Sequence, residues 1–176
     1  MDRINYLRIL TMAGLIFLAA FSRLVAHPAN MSPIMAIALL GGAYFDDKRL
    51  AFLLPLLAMV LSDIFLGFYM VSIFVYISFG IGILIGFVLR KRVKVQNIVL
   101  ATIAGSVVFF MITNFGSWLT DPMYQPLNFA SLSRCYTLAI PFFRNTVLGD
   151  MGYVVVLFGS YALAERFVPA LSLKKI

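Results

Sequence analysis

The sequence predicts an all-α integral membrane protein, with one domain of six transmembrane helices covering residues 1–176. Of its residues, 62% are hydrophobic and only 12% are charged, whereas a soluble domain has about 25% charged residues. The apolar residues form long runs that are separated by short polar or proline-containing stretches. Basic residues concentrate in alternate stretches between these runs, which is typical of a multi-pass membrane protein.

The first helix is predicted over residues 6–25. Arg3 and Arg8 stand near the start of this apolar run, as basic residues do in a signal peptide. The run lacks a small-residue cleavage site, however, and further apolar runs follow it. We therefore expect an uncleaved first transmembrane helix.

The second helix, predicted over residues 33–45, is unusually short. Ser32 is a favourable N-cap residue and Pro33 a favourable first helical residue. The helix would be roughly 20 Å long, whereas the hydrocarbon core of a bilayer is about 30 Å thick. The segment before it, residues 23–33, should therefore lie within the membrane, where non-helical backbone needs protein or a water-filled cavity around it. We expect this 23–33 segment to line a pocket.

Four further helices follow from the remaining apolar runs. Pro122 and Pro126 predict a long irregular connection over residues 116–133, and Pro141 predicts a break in the last helix. Residues 90–94 form a basic loop, and residues 166–176 form a basic tail. The predicted helices cover residues 50–68, 71–89, 97–115 and 138–164.

The distribution of basic residues predicts the orientation in the membrane. With six spans and a cytoplasmic N-terminus, both termini and eleven of the fourteen lysines and arginines lie on the cytoplasmic side, as the positive-inside rule requires. We expect a multi-pass protein of the cytoplasmic membrane, with its basic segments on the cytoplasmic side. Arg23, Arg134 and Arg144 are the three basic residues left on the outer side.

Polar residues at or below the outer face are the candidate ligand-binding residues. A carboxylate inside a membrane is costly unless it is paired or hydrated, so it marks a functional site by default. The alternative is that Asp63 or Asp150 pairs with an outer arginine and locks helices together, which is compatible with lining a cavity. The predicted ligand-binding residues are His27, Asn30, Asp63, Tyr76, Asn114, Arg144, Asn145 and Asp150.

Two aromatic or titratable residues add detail to this site. Tyr76 lies about two turns inside the fourth helix, and the tight turn near Tyr69 should bring it close to Asp63 on the third helix. His27 precedes a proline and is therefore expected to be extended, so it can donate a hydrogen bond to a substrate or bind a substrate's metal. With one histidine and one cysteine, Cys135, the chain has no structural zinc pattern. We expect no resident metal or cofactor, and no role for Cys135.

Small residues recur at helical spacing in two of the predicted helices. They are Ala38 and Gly42 in the second helix, and Gly80, Gly82 and Gly86 in the fourth. Such spacing allows helices to approach closely. The two interpretations are packing inside the bundle and a docking surface for a partner membrane protein.

Several short motifs resemble the substrate-binding S components of energy-coupling-factor (ECF) vitamin transporters. The chain is most similar to the small solitary cobalamin-uptake members and to a related group of uncharacterised bacterial membrane proteins. The motifs are Arg23 to His27-Pro28, Pro33-Ile34-Met35-Ala36, Gly41-Gly42-Ala43, Ser62-Asp63 with Gly67, and Pro141-Phe142-Phe143-Arg144-Asn145.

The resemblance implies a six-helix S-component-like bundle with a pocket that opens to the periplasm. In such a bundle His27, Asp63, Tyr76 and Arg144 would line the pocket. The cobalamin-uptake relatives have a cysteine near the fourth helix that reaches the cobalt, and the predicted fourth helix here has none. This departure counts against cobalt–thiolate chemistry.

These observations favour a membrane protein that binds and takes up a small, vitamin-like micronutrient, with a corrinoid as one candidate. The chain has no ATP-binding motif, so energy from ATP would come from another chain such as an ECF-type module. It also has no HExxH and no Gly-x-Ser-x-Gly motif, so we expect no enzyme. The alternatives are an accessory or assembly subunit of a larger membrane complex, and an intramembrane enzyme. The expected partners are a small-molecule ligand, the lipid bilayer and a membrane subunit, but not nucleic acid.

Overall fold

A computed structural model describes residues 3–26, 28, 30–168 and 171 of the chain. In this part of the chain the fold is all-α, as predicted, with six α-helices and two short 3-10 turns. The α-helices are α1 (Arg3–Ser22), α2 (Ile34–Tyr44), α3 (Lys48–Leu66), α4 (Ser72–Leu89), α5 (Val95–Thr120) and α6 (Phe129–Phe167). The 3-10 turns are Arg90–Arg92 and Pro122–Tyr124.

Four of the helices are long and apolar enough to cross a membrane. They are α3, α4 together with its 3-10 extension, α5 and α6. The apolar part of α1 covers Tyr6–Ser22, and α2 is shorter still. By length and composition the chain is therefore a membrane protein.

The short helix α2 lies at the centre of the bundle. All eleven of its residues are buried, and it packs against each of the other five helices. Its length is about 16 Å. The sequence correctly predicted a short second helix, and the structure shows that this helix is surrounded by protein along its whole length.

The start of α2 differs from the prediction. Pro33 occupies the N-cap position, and its carbonyl accepts a hydrogen bond from the Ile37 amide at 2.9 Å. Ser32 therefore lies one residue too early to cap the helix, and its hydroxyl is buried without a partner among the described residues.

The contact between α2 and α4 is made by backbone against backbone. A Cβ atom added to Gly42 would lie 2.2 Å from the Ile83 carbonyl oxygen, and one added to Gly86 would lie 2.7 Å from the Leu39 carbonyl oxygen. Gly82 faces the side chains of Met35 and Ala38 on α2, whereas a Cβ on Gly80 would meet open space. The small-residue pattern is thus internal packing at all its glycines except Gly80.

Side-chain contacts define two opposite ends of the bundle. At one end, Arg8 of α1 reaches the α2–α3 connection, and Arg90 after α4 reaches the same connection. At the other end, Arg23 after α1 reaches the last turns of α3. Consecutive long helices are therefore antiparallel. The first of these ends carries the basic cluster of the sequence, and we call it the basic end.

The connection between α5 and α6 is shorter than the sequence predicted. Helix α5 continues to Thr120 and α6 begins at Phe129, so only eight residues, 121–128, separate them. Helix α5 persists because Gly116 packs directly on Phe74 of α4, where a Cβ would lie 2.3 Å from the ring. Helix α6 starts early because Asn128 and Ser131 form a reciprocal capping box.

Three other predicted boundaries are wrong for similar local reasons. Helix α6 continues through Pro141 without a break, since packing against neighbouring membrane helices can compensate for the missing amide. Helix α3 begins at Lys48 because the Asp47 carboxylate accepts a hydrogen bond from the Arg49 amide at 2.8 Å. Helix α1 ends at Ser22 rather than at residue 25.

Candidate functional site

A buried polar cluster joins α1, α3 and α4 at the end opposite to the basic one. Arg23, just after α1, pairs with Asp63 of α3 at 2.7 Å. The same guanidinium donates to the Ser62 hydroxyl at 2.5 Å. Tyr76 of α4 donates its hydroxyl to the other Asp63 oxygen at 2.6 Å. We call these four residues the Arg23–Asp63 cluster.

The hydrogen bonds of this cluster are mutually consistent. Each oxygen of Asp63 accepts from one donor, so the carboxylate is ionised and satisfied. Ser62 accepts from Arg23 and donates to the Met59 carbonyl at 2.8 Å. The side chains of Arg23 and Asp63 are only 11% and 7% exposed. The cluster is therefore a nearly dry ionic link between three helices.

The turn between α3 and α4 sets the geometry of the cluster. Gly67 ends α3 with a φ of 92°, a conformation that side chains other than glycine rarely adopt. The Ser72 hydroxyl then accepts from the Tyr69 amide at 3.0 Å. This tight turn folds α4 back along α3 and brings Tyr76 to Asp63, as the sequence predicted.

Arg144 does not join the cluster. Its side chain is exposed on α6, and among the described residues Asp63 forms its ion pair with Arg23 instead. Both oxygens of Asp63 are already occupied. Asp63 and Arg144 therefore do not pair with each other among the described residues, and a pocket lined by both stays a prediction.

The other predicted residues are scattered around the same end. Asn30 is exposed and has a left-handed φ of 63°. Asn114 donates to the Phe110 carbonyl of its own helix at 2.7 Å. Asn145 is half-buried on α6. His27 lies outside the described residues.

Asp150 lies in a second, separate polar site. It is 3% exposed, and the Ser106 hydroxyl of α5 lies 2.6 Å from one of its oxygens. In the part of the chain that the structure describes, Asp150 pairs with neither Arg23 nor Arg144. The proposed salt bridge is thus observed for one of the two carboxylates only.

The α5–α6 connection is tied down by polar contacts that the sequence did not predict. The Trp118 indole donates to the Ser131 hydroxyl at 2.9 Å, and the Cys135 thiol donates to the Asn114 carbonyl at 3.4 Å. Burial, followed by a hydrogen bond with Cys135, raises the pKa of Tyr124. Tyr124, which is 8% exposed, therefore stays neutral where it packs on Cys135 of α6.

A cavity of about 210 Å³ opens at the basic end. Its walls are mostly apolar, and its polar residues are Arg8, Tyr44, Asp46 and Asp47. The sequence predicted a pocket beside the 23–33 segment, at the other end of the bundle. Arg8 within the first apolar run and Asp46 among the basic residues were the signals that could have indicated this second location.

Asp46 connects several helix ends around this cavity through salt bridges. Arg8 pairs with it at 2.7 Å, and Arg90 pairs with its other oxygen. Arg8 also donates to the Tyr44 carbonyl, and Arg90 donates to the Phe45 carbonyl at 2.8 Å. One acidic residue thus joins α1, α4 and the α2–α3 connection.

The described residues contain no group of three histidine, cysteine, aspartate or glutamate side chains that could hold a metal ion.

Comparison with known proteins identifies the chain by family alone. Neither the curated proteins nor the solved structures give a match. Residues 4–171 match a family of unknown function, DUF6580. Because this match covers nearly the whole sequence, the chain belongs to the DUF6580 family.

Proposed function

We propose that this protein binds a small, vitamin-like micronutrient from the periplasm and takes it up across the bacterial inner membrane. In this proposal all six helices belong to one membrane domain, both termini are cytoplasmic, and the bundle is of the S-component type. The protein has no catalytic activity of its own. The energy for uptake comes from another source, such as an ECF-type partner module.

The Arg23–Asp63 cluster is the observation that carries this proposal. A buried ion pair stabilises a fold no more than well-packed apolar residues do, so stability alone gives little reason for one here. The cluster lies beside the 23–33 segment, which leads into the central helix α2. An arginine fork recognises planar carboxylate, phosphate or amide groups. Asp63 fixes one nitrogen of the Arg23 guanidinium, and a ligand with such a group can replace Ser62 as the partner of the other nitrogen.

One observation favours the second candidate, an accessory subunit of a membrane complex. A Cβ atom added to Gly80 of α4, or to Gly152 or Gly159 of α6, would meet no atom within 4 Å. Gly152 and Gly159 are two helical turns apart and therefore share one face of α6. Such a face allows close approach of a partner helix.

Ligand binding separates the two candidates. Protein purified from native membranes in mild detergent should retain a small molecule in native mass spectrometry, and a vitamin panel should give a thermal shift. Tyr76→Phe removes one hydrogen bond to a charged group, so we expect at least about tenfold weaker binding. Asp63→Asn should weaken binding further.

The matched control is Tyr153→Phe, which removes a hydroxyl that lies 3.1 Å from Ser22 on α1. It should leave ligand affinity unchanged. A protein that carries and binds no small molecule, but co-purifies in a stable complex, would favour the accessory role and overturn the uptake proposal.

The orientation gives an independent prediction. A phosphatase or fluorescent reporter fused after Lys175 should report a cytoplasmic location, and one inserted after Met123 should report a periplasmic location. The reason is the excess of basic residues at one end of the bundle. The opposite pattern would place the Arg23–Asp63 cluster on the cytoplasmic side and would exclude binding from the periplasm.

A further inference from the structure

The contact between Asp150 and Ser106 differs from the ion pairs of Asp46 and Asp63 described above. Asp46 and Asp63 each pair with arginine. Asp150, by contrast, is 3% exposed and has a serine hydroxyl as its partner. An ionised carboxylate held by one neutral donor in a membrane would carry a free-energy penalty of several kcal/mol.

The hydrogen count at Ser106 indicates which group donates. The Ser106 oxygen lies 3.0 Å from the Thr102 carbonyl and 2.6 Å from Asp150. A carbonyl oxygen can only accept, and a serine hydroxyl has one hydrogen to donate. Both contacts are full two-centre hydrogen bonds only if Ser106 donates to Thr102 while Asp150 carries a proton and donates it to Ser106.

The surroundings of the pair are apolar and closely packed. A Cβ atom added to Gly105, next to Ser106, would lie 2.5 Å from the Met35 sulfur. One added to Gly149, next to Asp150, would lie 2.9 Å from the Met31 Cα atom. The pair is therefore enclosed between α5, α6 and the start of α2.

The described residues of the helices packed on α6 bring no compensating charge to Asp150. Helix α5 contains no ionisable side chain. The single ionisable residue of α2 is Tyr44, which packs on Tyr161 at the basic end. The ionisable residues of α1 lie near its start, and Arg23, which follows its end, binds Asp63. The nearest ionisable neighbours along α6 are Arg144, which is exposed, and Tyr153, which contacts Ser22.

We infer that Asp150 is a proton-binding site. In this conformation it is a neutral carboxylic acid that donates to Ser106 and links α5 to α6 without charge. When the two helices separate, water reaches the carboxyl group, the O–H bond breaks and the proton passes to water. The ligand of this site is the proton itself, and the inference is independent of the proposed uptake function.

Infrared spectroscopy of protein labelled with ¹³C-aspartate tests the inference directly. At neutral pH the wild-type protein should show the carbonyl band of a protonated carboxylic acid, shifted by deuterium exchange. Asp150→Asn should remove this band, Ser106→Ala should shift it, and Asp63→Asn should leave it unchanged. Absence of the band at neutral pH, or its survival in Asp150→Asn, would overturn the inference.

Stability against pH provides a second measurement. If the folded protein holds a proton that the opened form releases, stability must fall as pH rises through the neutral range. Asparagine at position 150 cannot release a proton, so Asp150→Asn should have a flatter profile than the wild type. Profiles with equal slopes would contradict the inference even where the infrared band is too weak to assign.

Discussion

Replacing either Arg23 or Asp63 by alanine should destabilise the folded protein by about 3–5 kcal/mol, because each change leaves a buried charge without its partner. The pair is nearly inaccessible to water, and Asp63 also accepts from Tyr76. Replacing the pair together, as in Arg23→Met with Asp63→Leu, removes both charges. The double variant should therefore be more stable than either single variant.

Unfolding of purified protein in mixed detergent micelles provides the measurement. Arg144→Ala is the matched control, since Arg144 is an exposed arginine on the same side of the predicted topology. It should change stability by no more than about 0.5 kcal/mol. If Arg23→Ala is as mild as this control, the ion pair does not form in the folded protein.

Enlarging the glycines between α2 and α4 should have an effect of similar size. Gly42→Ala would place a Cβ atom 2.2 Å from the Ile83 carbonyl oxygen, and in Gly86→Ala the distance to the Leu39 carbonyl oxygen would be 2.7 Å. The obstacles are backbone atoms, which cannot rotate away. The two helices must move apart, so we expect a loss of about 3 kcal/mol, at the upper end for overpacked cores.

Folded yield and thermal unfolding in detergent would show this loss. Gly80→Ala is the control on the same helix, because its Cβ atom would meet open space. It should be neutral or slightly stabilising, since alanine favours the helix. Equal stability of Gly42→Ala and Gly80→Ala would show that α2 and α4 are farther apart than the structure places them.

The sequence predicted the features that depend on local pattern. Hydropathy predicted the helices, including the short α2, and the tight turn near Tyr69 predicted the approach of α3 and α4 at Asp63 and Tyr76. The continuous helix at Pro141 and the short connection before α6 could not be predicted in this way. They depend on tertiary contacts, such as Gly116 on Phe74, which override local helix preferences.

Which residues pair with each other in the candidate site could also not be predicted from the sequence. Arg23 and Arg144 are equivalent in a linear view, since both are outer arginines next to apolar runs. In the structure α1 packs against α3 and brings Arg23 to Asp63, whereas Arg144 is exposed on α6. The contact of Ser106 with Asp150 could not be predicted either, because a serine in an apolar helix usually forms a hydrogen bond with its own backbone.

The brevity of α2 has a consequence for how the chain enters the membrane. The translocon recognises segments by hydrophobic length, and eleven helical residues fall well short of the roughly twenty that a spanning helix needs. We therefore expect α2 to depend on its neighbours for insertion and to enter together with α1 or α3 as a hairpin. The other five helices, including the last one, α6, all pack against α2. We therefore expect α2 to reach its final packing only after α6 has been synthesised. The packing around the central helix α2 is thus the last part of the fold to form.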